Sequence, residues 1–203
     1  MPRFQLTSLS VFLALAAPAL AAEPPAPDFK ALLTPAVMQD IRGWIDTDIV
    51  RVSVGAQNDR IGKVSQTDID RLDNQWKAER ESADKPLIAA TLSNPLSVYL
   101  ARMQGRSLGL YAEIFVMDQN GLNVGQSSIT SDFWQGDEGK FQKTFDAGRD
   151  GMFLDEAEWD DEVKVWRGQL SYTLTDAAGT TPIGAVTVEI NLTELQRRAE
   201  AGS

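Results

Sequence analysis

The hydrophobic period of this sequence changes at Tyr111, and that change constrains the fold more than any other feature. Before it, apolar residues return at steps of three and four: Val37, Ile41, Trp44, Ile45 and Ile49, then Ile69, Leu72 and Trp76. Such spacing places them on one side of amphipathic helices. After it, apolar and polar residues alternate. Trp166, Leu170, Tyr172 and Leu174 are set against Arg167, Gln169, Ser171 and Thr173, and Val186, Val188 and Ile190 against Ala185, Thr187 and Glu189. A period of two belongs to half-buried strands. Helices over residues 34–105, followed over 106–203 by an antiparallel sheet of about five strands, make an α+β chain that folds as one domain.

Caps and breakers set the boundaries. Thr34-Pro35 reads as an N-cap with proline at the first helical position, opening a helix that the periodicity carries to about Val54. The pattern breaks over Gly55 to Gly62, and Ser65 or Thr67 caps a second helix that ends before Pro86. Pro95 divides Leu87 to Met103 and predicts a turn of helix on each side of it. Asp118-Gln119-Asn120-Gly121 between apolar runs predicts a hairpin of Tyr111 to Asp118 with Leu122 to Ser127. A capped aromatic loop, Thr130 to Glu138, leads into a short helix over Lys140 to Phe145, and Gly151 to Leu154 reads as a short strand. Val163 to Thr175 and Ile183 to Asn191 form a second hairpin around Asp176-Ala177-Ala178-Gly179.

The N-terminus points to export. Arg3, the apolar run Leu9 to Ala17 and the small residues Ala19-Leu20-Ala21 read as a cleaved signal peptide over residues 1–21. The run is about half the length of a membrane-spanning helix, so an uncleaved anchor is the weaker reading. Residues 22–33, with Glu-Pro-Pro-Ala-Pro at Glu23 to Pro27, form a linker. The expected location is periplasmic or secreted, with no membrane span left after cleavage. Formal charge is −10 for the chain and falls by one more when Arg3 is removed, so nucleic acid and anionic lipid are poor partners. With no cysteine and no histidine, thiolate chemistry, disulfides, Ser-His-Asp devices and the commonest metal ligands are excluded.

The order of elements around Asp118-Gln119-Asn120-Gly121, Thr130 to Glu138, Asp176 to Gly179 and Ile183-Gly184-Ala185-Val186-Thr187-Val188 is similar to the Cache family. These are the PAS-like extracytoplasmic sensor domains of bacterial receptors. The resemblance is strongest over Tyr111 to Leu192, and Asp132-Phe133-Trp134 resembles an Asp-aromatic-Trp segment of that family. It implies a pocket between the sheet and its loops, walled in part by loop aromatics, for an amino acid, an amine or a short carboxylate. Family members usually sit between two membrane helices. A chain with a cleaved signal and no later span is instead expected to act through a separate membrane-bound sensor or receptor.

Candidate ligand-binding residues follow from their chemistry. Trp134 stands in a polar loop that no periodicity accounts for, beside Asp132, Phe133 and Asp137. An aromatic ring with carboxylates suits an ammonium group, and the competing reading is a loop aromatic plugged into the core. Arg167 with Gln169 could grip a carboxylate, or Arg167 could pair across strands with Glu113 and Glu189 on a wet sheet face. Tyr111 can offer an apolar wall and a hydroxyl; Tyr172 reads as core, as do Trp44, Trp76, Trp159 and Trp166. Carboxylates crowd Asp155 to Glu162, which reads as a solvated loop, without the ligand spacing of a calcium loop. Asp118, Asn120 and Asn123 are explained by the turn at Gly121.

The first reading is a non-catalytic binding or sensor module for a small polar molecule, needing no cofactor and no metal. The alternative is an interaction module of the same fold, docking on a membrane sensor or forming a homodimer through its N-terminal helices. A carboxylate-based hydrolase is the third and least supported.

Overall fold

A computed structural model describes residues 23–202. The expected signal peptide lies outside them. After the proline-rich segment comes a single turn of helix, α1 (Phe29–Leu32), inside the stretch expected to be linker. Helices α2 (Pro35–Ile45), α3 (Asp48–Ile61), α4 (Gln66–Arg80), α5 (Pro86–Leu92) and α6 (Pro95–Arg106) follow. Thr34, Ser65 and Asn94 cap α2, α4 and α6 by accepting the N–H three residues on.

The single helix expected from Pro35 to about Val54 is two. Thr47 is extended, with φ −114° and ψ 161°, and Arg51 reaches back from the next turn to the Asp46 carbonyl at 2.7 Å. The break leaves the apolar spacing undisturbed, so the period does not reveal it. Gly55, read as a breaker, lies inside α3, which stops at Gly62 with φ +60°.

The sheet contains β1 (Tyr111–Met117), β2 (Asn123–Gln126), β3 (Met152–Leu154), β4 (Glu158–Asp160), β5 (Val165–Thr175) and β6 (Pro182–Asn191). It is antiparallel with order β2-β1-β6-β5-β3, and β4 pairs with the other end of the β5 edge that β3 occupies. Between β2 and β3 lie a short helix α7 (Gly139–Gln142) and one 3-10 turn over Phe145–Ala147. A last helix, α8 (Leu192–Ala201), leaves β6 directly; it and β4 carried no sequence expectation.

One face of the sheet is fully apolar. Ile114, Val116, Leu170, Tyr172, Leu174, Val186, Val188 and Ile190 are buried against Ile41 and Ile45 of α2, Val50 and Val54 of α3, Leu96 and Leu100 of α6, and Leu192 and Leu195 of α8. Each such side chain removed from water contributes about 1.5–3 kcal/mol before entropy is counted. A second cluster joins α4 and α5 to the β1–β2 hairpin through Ile69, Trp76, Ile88, Leu122 and Phe133. The hairpin turn is held by Asp118, whose Oδ1 accepts the N–H groups of Asn120 and Leu122, with Gly121 at φ +77°. No helix among the described residues is long and apolar enough to cross a membrane.

Candidate ligand-binding site

The other face of the sheet divides in two. At one end Phe115, Met117 and Ala185 are covered by Phe141 of α7, with Phe145 packed beside it. At the other end the inward side chains are polar, and strand register sets them side by side: Glu113 opposite Glu189 on β6, and Glu189 opposite Gln169 on β5. Here α7 and the β3–β4 segment leave a cleft of about 200 Å³, lined by Glu138, Lys140, Asp155, Glu156, Glu158, Arg167, Gly168, Gln169 and Glu189. That volume lies under the roughly 300 Å³ at which pockets for drug-sized molecules begin, so the cleft suits a molecule of a few heavy atoms.

Arg167 is its central cation. The guanidinium reaches Asp160 of β4 at 2.8 Å and Glu189 of β6 at 3.3 Å, while its Nε is buried without a partner. Lys140 pairs with Glu138 at 2.7 Å. Both cations are thus neutralised by the protein's own carboxylates. The lining holds five carboxylates against two cations, and the rim residues Asp155, Glu156 and Glu158 are exposed. Deeper in, burial pushes the Glu113 carboxyl above its ordinary range; the neighbouring Glu189 adds to the effect and a 2.7 Å hydrogen bond from Ser128 opposes it. A cleft with this balance repels anions and attracts cations, because like charges in a partly dehydrated site interact strongly.

The structure therefore groups Arg167, Gln169 and, next to them, Glu113, and separates them from the remaining expected residues. Trp134 packs over the hairpin turn: its Nε1 donates to the Asn120 carbonyl at 2.8 Å and its backbone N–H donates to Asp73. Phe133 is buried and stacks on Trp76, with ring centroids 5.2 Å apart. Asp132 pairs with Lys77 at 2.9 Å, which with the Ser131 hydroxyl outweighs burial and holds its carboxyl low. Asp137 is exposed at the start of the turn into α7. This aromatic loop fastens the hairpin to α4 and stands apart from the cleft lining.

Tyr111 lies on the opposite, helix-covered face. Residues two apart on a strand share a face, but a bulge between Tyr111 and Glu113 sets them against consecutive residues of β6, Ile190 and Glu189. The Tyr111 hydroxyl donates to Asp40 of α2 at 3.1 Å. Lys140, Glu138 and the exposed acidic rim become one site only in the folded chain. Nothing in the local pattern says that α7 folds back over β5 and β6. The acidic stretch forms β4 with its turn, where Asp160 accepts the N–H groups of Glu162 and Val163, and Trp159 meets Trp166 at 5.6 Å. Among the described residues no group of three or more acidic side chains is placed to hold a metal ion.

No protein-family profile and no curated protein matches the chain. Solved structures to which it is similar include sensor and ligand-binding domains. The ligand-binding domain of the Pseudomonas aeruginosa PAO1 amino acid chemoreceptor PctC, in complex with GABA, is 12% identical with a TM-score of 0.36; the alignment covers 80% of this chain and 63% of that one. The sensory domain of the Campylobacter jejuni chemoreceptor Tlp3 is 13% identical with a TM-score of 0.39, covering 80% and 65%. The sensor domain of the V. cholerae histidine kinase DctB is 10% identical with a TM-score of 0.31, covering 80% and 58%. The chain thus spans less than two thirds of the length of these domains. The α+β arrangement and the kind of neighbour are those expected from the sequence.

Proposed function

We propose that this protein is a non-catalytic, sensor-type binding module that holds a small ammonium-bearing molecule, an amino acid or short amine, in the polar cleft above β5 and β6. The observation that carries the reading is the cleft's charge: five carboxylates around two cations that are already paired within the protein. An incoming ammonium group meets the exposed rim of Asp155, Glu156 and Glu158, which form no ion pair among the described residues, and a carboxylate on the same molecule can take over one arm of Arg167. A short carboxylate without an amine has no such compensation. Export and action through a separate membrane partner are part of the same reading, and rest on the apolar run Leu9 to Ala17.

The test is a thermal-shift and calorimetric screen of amino acids, linear diamines and short monocarboxylates. A ligand present at 100 times its Kd stabilises by about 2.7 kcal/mol. Amines and amino acids are expected to register, monocarboxylates are not, and Arg167→Ala is expected to abolish amino-acid binding. An amino-acid hit indifferent to Arg167→Ala, or silence across the panel, defeats the reading. Silence combined with concentration-dependent mass in the ultracentrifuge supports the interaction module instead. One observation favours that alternative: Val52 on α3 and Val98 on α6 are 68% and 47% exposed on the helical side.

A further inference from the structure

The polar cleft leaves Tyr111 unused, and Tyr111 lines a groove on the molecule's helical side. This groove, about 600 Å³, runs between the start of α2 and the end of α8. Its walls include the apolar side chains Leu32, Val37, Leu110 and Leu195. A second hollow of about 510 Å³, floored by Trp44, adjoins it and shares Ala36 and Asp40 with it. Volumes of this size are those of small-molecule pockets, which combine apolar walls with a few placed polar groups.

The polar groups here have a definite sign. Arg198, the groove's cation, is committed: its Nε donates to Glu194 and its Nη2 to the Ser107 carbonyl, both at 2.7 Å. Asp40 accepts only the neutral Tyr111 hydroxyl, and no lysine or arginine among the described residues pairs with it. Trp44, partly exposed, lines the same hollow as Asp40 and packs on the buried Tyr111 ring, with centroids 5.1 Å apart and planes at 47°. Burial, with Asp40 adding to it, raises the Tyr111 hydroxyl to about 12, so it remains a donor to Asp40 at any physiological pH. A carboxylate with no ion-pair partner among the described residues and a partly exposed indole next to it is the chemistry that receives an ammonium head, and the groove beyond it is the chemistry that receives a hydrocarbon body.

We propose that this groove is a second binding site, distinct from the polar cleft, for a free amphipathic molecule with an ammonium head at Asp40 and Trp44 and an apolar chain lying between α2 and α8. The two sites differ in what they require. The cleft takes a head group alone, whereas the groove takes head and chain together.

The experiment uses octyltrimethylammonium below its micelle concentration as the probe, followed by calorimetry. Saturable one-to-one binding is expected. Tetramethylammonium, which lacks the chain, and octanoate, which reverses the head charge, are each expected to bind at least about tenfold more weakly. Asp40→Asn should weaken the probe by about fivefold, the factor carried by a partly exposed ion pair, and leave melting of the free protein unchanged. Ala36→Trp, at an exposed position of the first turn of α2, should fill the groove and abolish binding, while Arg167→Ala should have no effect. Equal binding of octanoate, indifference to Asp40→Asn, or no binding at all overturns the proposal. So does co-sedimentation with phosphatidylcholine vesicles in place of binding to the soluble probe, since that would make the surface a membrane contact.

Discussion

Replacing Glu79 should uncouple α4 from α5. The residue lies near the end of α4 and is only 6% exposed. Its Oε2 accepts the Ile88 backbone N–H at 3.0 Å and its Oε1 accepts the Gln75 amide at 2.7 Å. The next helix, α5, begins at Pro86 with Lys85 as its N-cap, and Lys85 makes no side-chain cap bond. Glu79 therefore supplies from the preceding helix the acceptor that the first turn of α5 lacks. Burial alone would push its carboxyl up, but the Ile88 N–H, the Gln75 amide and the Leu87 N–H outweigh it and hold the carboxyl below its ordinary value.

Glu79→Ala leaves a buried N–H unpaired and removes charge-assisted bonds, a loss of about 2–3 kcal/mol. For a domain of this size that is a fall in melting temperature of roughly 4–12 °C. Glu79→Gln keeps an acceptor without its charge and should cost about 1 kcal/mol. A carboxyl whose pKa is lowered on folding contributes fully above its unfolded value, about 4.3, and the contribution is lost as pH falls through the folded value. The gap between wild type and Glu79→Ala should therefore narrow below about pH 4. Urea unfolding followed by tryptophan fluorescence at pH 7 and in acid measures all of this. A cost under about 1 kcal/mol at pH 7, or a gap that does not change in acid, would refute the capping role.

Three further outcomes are expected. Gly184→Ala should prevent stable folding, because a Cβ there would lie 2.1 Å from the Met117 carbonyl oxygen between paired strands; a cooperative melt near the wild-type temperature would count against the β1–β6 register. Glu113 has a raised carboxyl pKa, which lowers stability at neutral pH and ceases to do so below the unfolded value, so Glu113→Gln should raise the melting temperature at pH 7 and lose that advantage near pH 4. Trp134→Phe removes the indole bond to Asn120 and should cost about 1 kcal/mol while leaving ligand affinity at the polar cleft unchanged; a loss of affinity would return the aromatic loop to the binding site.

Much of the framework was determined by sequence alone, because it depends on neighbours in the chain. Thr34 and Ser65 cap helices, since a hydroxyl reaches a backbone N–H three residues away whatever surrounds it. Asn120-Gly121 turns the first hairpin, since glycine accepts the positive φ that the turn needs. The two faces of β5 and β6 followed from alternation. Alternation could not say what covers each face, and so could not say where the cleft lies. Only tertiary structure brought Lys140 of α7 and Glu138 just before it over Arg167, Gln169 and Glu189, residues from separate parts of the chain. It also decided two points that local pattern could not. The bulge in β1 parts Tyr111 from Glu113 and sends the tyrosine to the helical groove, and the loop carrying Trp134 closes on Asn120 rather than on the cleft. Local rules govern caps, turns and strand faces because the interacting groups are a few residues apart; a site assembled from distant segments depends on register and packing, which no single segment contains.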